Sequence, residues 1–128
     1  PGGGYRYGTN SQEESLFRRT TLPCALDPVL GANIKAIDCY ETVSYPFDYE
    51  EDGVIFTPGV QVLRDLKYQI LPSPYEVDVY TTAAPKNPPA YTDAVRDLMR
   101  RKIHTLLLTA VHRHAEVLVL GAFGCGTY

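Results

Sequence analysis

The feature that most restricts the fold is a succession in the C-terminal half: YEVDVYTTAA, a long amphipathic stretch from Thr92 to about His114, then EVLVL and GAFGCG. In residues 75–84, Val77 and Val79 share one face of an alternating pattern that ends in small residues and prolines, which predicts a strand running into a loop. Thr92 and Asp93 predict a helix start, and Val95, Leu98, Met99, Ile103, Leu106, Leu107, Ala110 and Val111 follow helical spacing. Residues 116–120, EVLVL, read as an apolar run of the kind found in strands buried on both faces. Strand, helix, strand and glycine loop together predict a parallel crossover. Its loop, with Gly121, Gly124 and Gly126, then lies at the carboxyl end of the sheet, where open α/β sheets bind ligands.

The N-terminal end poses a related question. It reads PGGGYRYGTNSQEESLFRR, with Gly2, Gly3 and Gly4, a seven-residue spacer, and then Gln12, Glu13 and Glu14. A run of glycine is costly to order and is kept where a loop needs positive φ or where a ligand approaches the backbone. Ser11 followed three residues later by Glu14 is a capping-box pattern, so a helix is expected from near Gln12 through Leu16, Phe17 and Arg19, ended or broken by Pro23. Residues 28–52 are weakly periodic, and 40–49, rich in aromatics and acids, read as loop. The apolar runs 54–57 and 60–63, split by Pro58 and Gly59, predict a strand pair or a bent strand.

At 128 residues, 45% hydrophobic and 21% charged, the composition is that of one globular domain spanning residues 1–128. The net charge of −3 offers no broad basic field, so direct DNA binding is not expected and a phosphate site must be built locally from loop amides or a helix N-terminus. Cys24, Cys39 and Cys125 form no CxxC pair and leave an odd count, which points to an intracellular location, cytoplasm or nucleus. No apolar stretch approaches the length of a membrane span, so no membrane partner is expected. Neither a metal-ligand cluster nor a nucleophilic triad is visible, and no cofactor is implied. His112 and His114 suit the C-terminal end of a helix dipole, and Arg96, Arg100, Arg101 and Lys102 suit a solvated helix face.

Taken together, GGG, the spacer and QEE resemble the signature of the poly(ADP-ribose) glycohydrolases, and LVLGAFGCGTY is similar to the diphosphate loop of their microbial and fungal branch. VIFTPGVQVLRD and YEVDVYTTAAP look like two strands of that branch. The resemblance implies a macrodomain-like, three-layer α/β/α fold with an incomplete mixed sheet. The chain starts inside a glycine loop and stops at GCGTY, so a partial catalytic domain, truncated at both ends, is expected.

What the resemblance implies for function is specific. Gly2, Gly3 and Gly4 would wrap the diphosphate and distal ribose, Gln12 would orient the acids, Glu13 would hold the ribose hydroxyls, and Glu14 would donate a proton to the departing oxygen. Gly124, Cys125 and Gly126 would form the second diphosphate loop, and Tyr128, where the family usually keeps phenylalanine, would pack on the terminal ribose. The substrate would be poly(ADP-ribose) or an ADP-ribosylated protein, cleaved at ribose–ribose O-glycosidic bonds to release ADP-ribose. Two alternatives stay open, the first from the residues and the second within the resemblance. One is that Glu13 and Glu14 serve only the first turn of a helix. The other is a module that binds ADP-ribose without cleaving it.

Overall fold

The computed structural model describes residues 11–26, 52–85 and 92–123. The expected loop at 40–49 and most of 28–52 lie outside them. The described elements are helices α1 (Gln12–Arg19) and α2 (Leu22–Leu26), strands β1 (Ile55–Arg64) and β2 (Ile70–Thr81), and helix α3 (Asp93–His112). The class is mixed α/β. The chain divides into two units, one holding Pro1–Asp48 and Thr57–Val79, the other Tyr49–Phe56 and Tyr80–Tyr128.

In the first unit, α1 starts where the capping box places it, with acidic Glu13 and Glu14 in its first turn and basic Arg18 and Arg19 in its last. Both pairs oppose the partial charges of the helix ends. The helix ends at Thr20, whose extended backbone forms an isolated antiparallel bridge with Val62. Thr20 Oγ1 donates to the Leu16 carbonyl at 2.8 Å and accepts from the Leu22 amide at 3.1 Å, joining α1 to α2. Pro23 then sits in the first turn of α2, where a missing N–H costs no helical bond. The break expected near Pro23 therefore falls at Thr20 and Thr21, just before it.

Of the two forms predicted for residues 54–63, the single bent strand is the one found. Thr57, Val60 and Val62 are buried, so strict alternation slips by one residue at Pro58 and Gly59. Gly59 takes φ of +64°, the left-handed backbone that lets an extra residue enter a strand, and its amide donates to Asp78 Oδ1 at 3.0 Å. Among the described residues of this unit, Phe17, Leu22, Pro23, Leu26, Val60 and Val62 are buried and apolar. β1 turns back at Asp65, whose side chain accepts from the Lys67 amide at 2.8 Å and the Gln69 amide at 2.9 Å, while Tyr68 adopts φ of 61°.

β2 returns along β1 through the turn at 65–69, closed by the Asp65 amide donating to Gln69 O at 3.0 Å, and among the described residues the two form a two-stranded antiparallel sheet. It begins at Ile70, five residues earlier than the alternation of 75–84 suggested, and takes in Pro72 and Pro74. Proline is tolerated because β2 lies at an edge among the described residues and is exposed along most of its length.

The second unit is built around α3. Thr92 Oγ1 accepts from the Val95 amide at 3.3 Å, as the sequence predicts. The other end closes with the His114 amide donating to Val111 O and the Ala115 amide to Ala110 O, both at 3.0 Å, a Schellman arrangement with His114 at φ 56° where glycine is usual. Phe56 meets Tyr80 with ring centroids 5.1 Å apart, and the Arg113 guanidinium lies 4.6 Å over the Phe56 ring.

Two expectations are corrected here. The buried line of α3 includes Leu98, Lys102 and Ala110, whereas Ile103, Leu107 and Val111 are exposed. Lys102, at 5% exposure, is thus not part of a solvated basic face; Arg100 and Arg101 are, while Arg96 is half-buried and paired to Asp93 at 2.9 Å. The helix carries apolar residues around most of its circumference, so spacing alone does not choose the face that is covered. Residues 116–120 join no ladder, and Val117 and Val119 are 82% and 89% exposed. A strand exists through its neighbour, and among the described residues none pairs with this run, so the parallel crossover is not formed there.

Candidate functional site

The candidate site is the first turn of α1. Gln12 is exposed, Glu13 half-buried, and Glu14 buried at 7% exposure. Successive helical residues point about 100° apart, so the three cannot share one environment, and the fold gives the inward position to Glu14. Its Oε2 accepts from the Ser11 amide at 3.1 Å and from the Ser11 hydroxyl, closing the capping box. A carboxylate at this depth with two donors on one oxygen is held in one orientation.

The position of α1 is itself fixed from its far end. The Thr21 amide donates to Gln61 O at 3.0 Å, the Gln61 amide donates to Thr21 Oγ1 at 3.0 Å, and Arg19 Nε donates to Arg64 O at 3.3 Å. A short helix is marginal by itself, so these bonds to β1 and the burial of Phe17 set where Glu13 and Glu14 stand. The sequence pattern does not single out the role of the threonine pair. Its signal was two adjacent hydroxyl residues at the predicted end of the helix, next to a strand-forming pattern that could accept them.

Gly2, Gly3 and Gly4, and Gly124, Cys125, Gly126 and Tyr128, lie outside the described residues. Gln12, Glu13 and Glu14 are the predicted site residues whose placement is described, all on α1. His112 and His114 belong to the end of α3, His114 as its left-handed stop. Among the described residues no group of three or more histidine, cysteine, aspartate or glutamate side chains is arranged to hold a metal ion. Cys24 is free, and among the described residues no helix is long and apolar enough to cross a membrane.

The family model described as microbial-type PARG, catalytic domain, matches residues 1–65, more than half of the 128 and including all of GGG, QEE and β1. The chain belongs to this family. Its fold is correspondingly macrodomain-like: the solved poly(ADP-ribose) glycohydrolase of Thermomonospora curvata matches with a TM-score of 0.75 and 31% identity over 98% of this chain and 45% of that one. The structure of that protein bound to the inhibitor ADP-HPD matches with a TM-score of 0.75 and 31% identity, covering 98% and 47%. The glycohydrolase of Deinococcus radiodurans in complex with ADP-ribose matches with a TM-score of 0.71 and 26% identity, covering 97% and 51%. The chain therefore spans about half the length of these solved relatives. No curated protein matches its sequence.

Proposed function

We propose that this chain carries the acid-bearing part of a poly(ADP-ribose) glycohydrolase, which hydrolyses ribose–ribose O-glycosidic bonds and releases ADP-ribose. The observation that carries the reading is the buried, doubly bonded Glu14 at the start of α1, inside a QEE segment that the microbial-type family model covers. Cleavage of such a bond passes through an oxocarbenium-like state. As the bond between the anomeric carbon and the leaving oxygen breaks, Glu14 gives that oxygen its proton. Water then adds to the anomeric carbon and returns a proton to Glu14, which ends as it began. Glu13, half-buried beside it, would hold the ribose hydroxyls, with Gln12 orienting the pair. Gly2, Gly3, Gly4, Gly124, Cys125 and Gly126 would supply amide donors to the diphosphate, and Tyr128 would pack on the terminal ribose.

The substrate class follows: poly(ADP-ribose) or an ADP-ribosylated protein. Support comes from the ADP-ribose and ADP-HPD complexes of the Deinococcus and Thermomonospora relatives. An intracellular location, in cytoplasm or nucleus, accords with three cysteines that form no CxxC pair, and a net charge of −3 argues against direct DNA binding.

A second reading has its own observation. Glu14 closes a capping box, a role complete without chemistry, and a chain that uses it only so would bind ADP-ribose and leave it intact. One experiment separates the two: incubation with poly(ADP-ribose) and chromatographic detection of free ADP-ribose, for the wild type and Glu14→Gln. Release by the wild type and none by Glu14→Gln, with ADP-ribose affinity changed less than about fivefold, supports the hydrolase. Binding without release supports the module, and normal release by Glu14→Gln removes Glu14 from the chemistry.

A further inference from the structure

The hairpin that joins β1 to β2 carries features that neither the sheet nor the site at α1 uses. Its turn has a three-residue loop: the Tyr68 amide donates to Asp65 O at 3.1 Å and the Asp65 amide to Gln69 O at 3.0 Å. In a turn of this type the last loop residue is left-handed, and glycine is usual there. Tyr68 holds the place at φ 61° and is 42% exposed. A bulky residue is strained in that conformation, and strain of this kind collects at ligand contacts. Leu66 and Ile70, on either side of it, are 82% and 73% exposed.

Positive charge gathers at the same end. Arg19 Nε donates to Arg64 O at 3.3 Å, and Arg64 Nη1 donates to Tyr68 O at 3.1 Å, so the backbone holds one side of each guanidinium and leaves the rest of its fork for a ligand. Lys67 is exposed. Among the described residues no carboxylate pairs with Arg19, Arg64 or Lys67, and Asp65, the acid of the turn, accepts from the Lys67 and Gln69 amides. On a chain of net charge −3, three cations around an exposed tyrosine are a local feature, and their complement is a partner that alternates anionic groups with flat rings.

We propose that this hairpin tip is a second contact for poly(ADP-ribose), in which Arg64 and Lys67 meet diphosphates and Tyr68 stacks on an adenine of units beyond the one whose linkage is cut. The inference rests on the reading of the site at α1. Tip and acid belong to one unit and are joined by one helix: Glu14 lies in the first turn of α1 and Arg19 is its last residue, five residues or about 7.5 Å along the axis. The tip takes no part in the chemistry. It holds a second segment of a chain already seated at α1, so the polymer gains affinity from it and free ADP-ribose, one unit long, does not.

The test is binding of poly(ADP-ribose) and of ADP-ribose to the 128-residue chain carrying Glu14→Gln, alone and with Arg64→Gln plus Lys67→Gln or with Tyr68→Gly, each with a thermal melt. The Arg64 and Lys67 pair of changes should weaken polymer binding about fivefold or more and reduce the slope of log affinity against log salt by about 1–2, with ADP-ribose affinity held within about twofold. Tyr68→Gly should raise the melting temperature while weakening polymer binding, two opposite signs that a residue serving the turn alone does not give. Polymer affinity unchanged in these variants overturns the tip contact, as does polyadenylate RNA competing as well as the polymer at equal phosphate concentration. ADP-ribose that binds none of the proteins, the wild type included, overturns the site at α1 instead. Free ADP-ribose released by Glu14→Gln overturns the acid assignment, and the tip is then read from KM for long polymer against KM for the two-unit oligomer in the same variants.

Discussion

Thr21 and Gln61 exchange two hydrogen bonds: the Thr21 amide donates to the Gln61 carbonyl at 3.0 Å, and the Gln61 amide donates to the Thr21 hydroxyl at 3.0 Å. A side-chain oxygen thus takes the place of a backbone acceptor, and the chain after α1 is stitched to the middle of β1. Thr21→Val keeps the shape and removes the acceptor, leaving a part-buried amide unpaired. The expected cost is about 1–3 kcal/mol, the usual penalty for such a group. A chemical denaturation series checks it, and Thr21→Ser should restore most of the loss. A change under about 0.5 kcal/mol in Thr21→Val would show that the joint is held by other contacts.

Glu14 offers a stability prediction separate from its chemistry. Glutamine fills the N3 place of a capping box as glutamate does, by accepting from the N-cap amide, whereas alanine cannot. Glu14→Gln should therefore melt close to the wild type, and Glu14→Ala should lose roughly 0.5–2 kcal/mol. Differential scanning calorimetry on both distinguishes a lost cap from a lost proton: the glutamine variant is stable and inactive, the alanine variant less stable as well.

The parts of this architecture that were legible in the sequence are those that depend on near neighbours. Ser11 with Glu14, and Thr92 with Val95, are three residues apart, and both helix starts follow from the sequence alone. Gly59 lies where proline and glycine interrupted an apolar run, and its positive φ is the physical content of that interruption. What failed was non-local. Residues 116–120 have the composition of a buried strand, but pairing depends on a partner that composition does not specify. Lys102 lies buried while Ile103 lies exposed, because a helix apolar on several sides leaves the choice of face to whatever packs on it. The bond from Gln61 to Thr21 joins residues 40 positions apart and leaves no local trace. For the site, QEE was legible as a motif, whereas the division of labour between Glu13 and Glu14 rests on the phase of α1, which the bonds to β1 set.

His114 takes a left-handed φ of 56° at the end of α3. A side chain there costs about 1 kcal/mol relative to glycine, which adopts the conformation freely. His114→Gly should raise stability by roughly 0.5–1 kcal/mol. Gly59→Ala should do the reverse: a Cβ at Gly59 meets nothing within 4 Å, so the loss comes from φ of +64° and not from a clash. Paired melts of the two variants test the argument, and a fall in stability for His114→Gly would mean that the imidazole contributes more than its strain removes.

Ligand affinity should depend weakly on salt. Arg100 and Arg101 face acidic partners, Asp97 at 3.6 Å and Asp52 at 3.7 Å, and are more than half exposed, so they are poor candidates for a phosphate site. If amide donors hold the diphosphate, titration of ADP-ribose by calorimetry between low and moderate salt should show a modest decline, and Arg100→Gln with Arg101→Gln should leave it unchanged. A steep salt slope that disappears in the double variant would move the anion site to α3.

The run after α3 makes the last prediction. Val117, Val119 and Leu120 are 82%, 89% and 57% exposed, and Leu108 and Val111 on α3 add 55% and 72%. Residues 117–120 combine high β-propensity, no charge and no proline, the composition of a segment that pairs with its own copies when its backbone is free. The 128-residue chain should therefore associate with concentration, and one charge in the middle of the run should suppress it. Because Val119 is nearly fully exposed, Val119→Lys removes little buried surface and should alter the melting temperature by less than about 2 °C, the scale of a surface substitution. Light scattering over a concentration series, with a melt of each protein at the lowest concentration, reads both effects. Reduced association at constant stability is expected. A Val119→Lys variant that melts far lower would show instead that this run is covered in solution and that its apolar character serves a strand's place in the sheet.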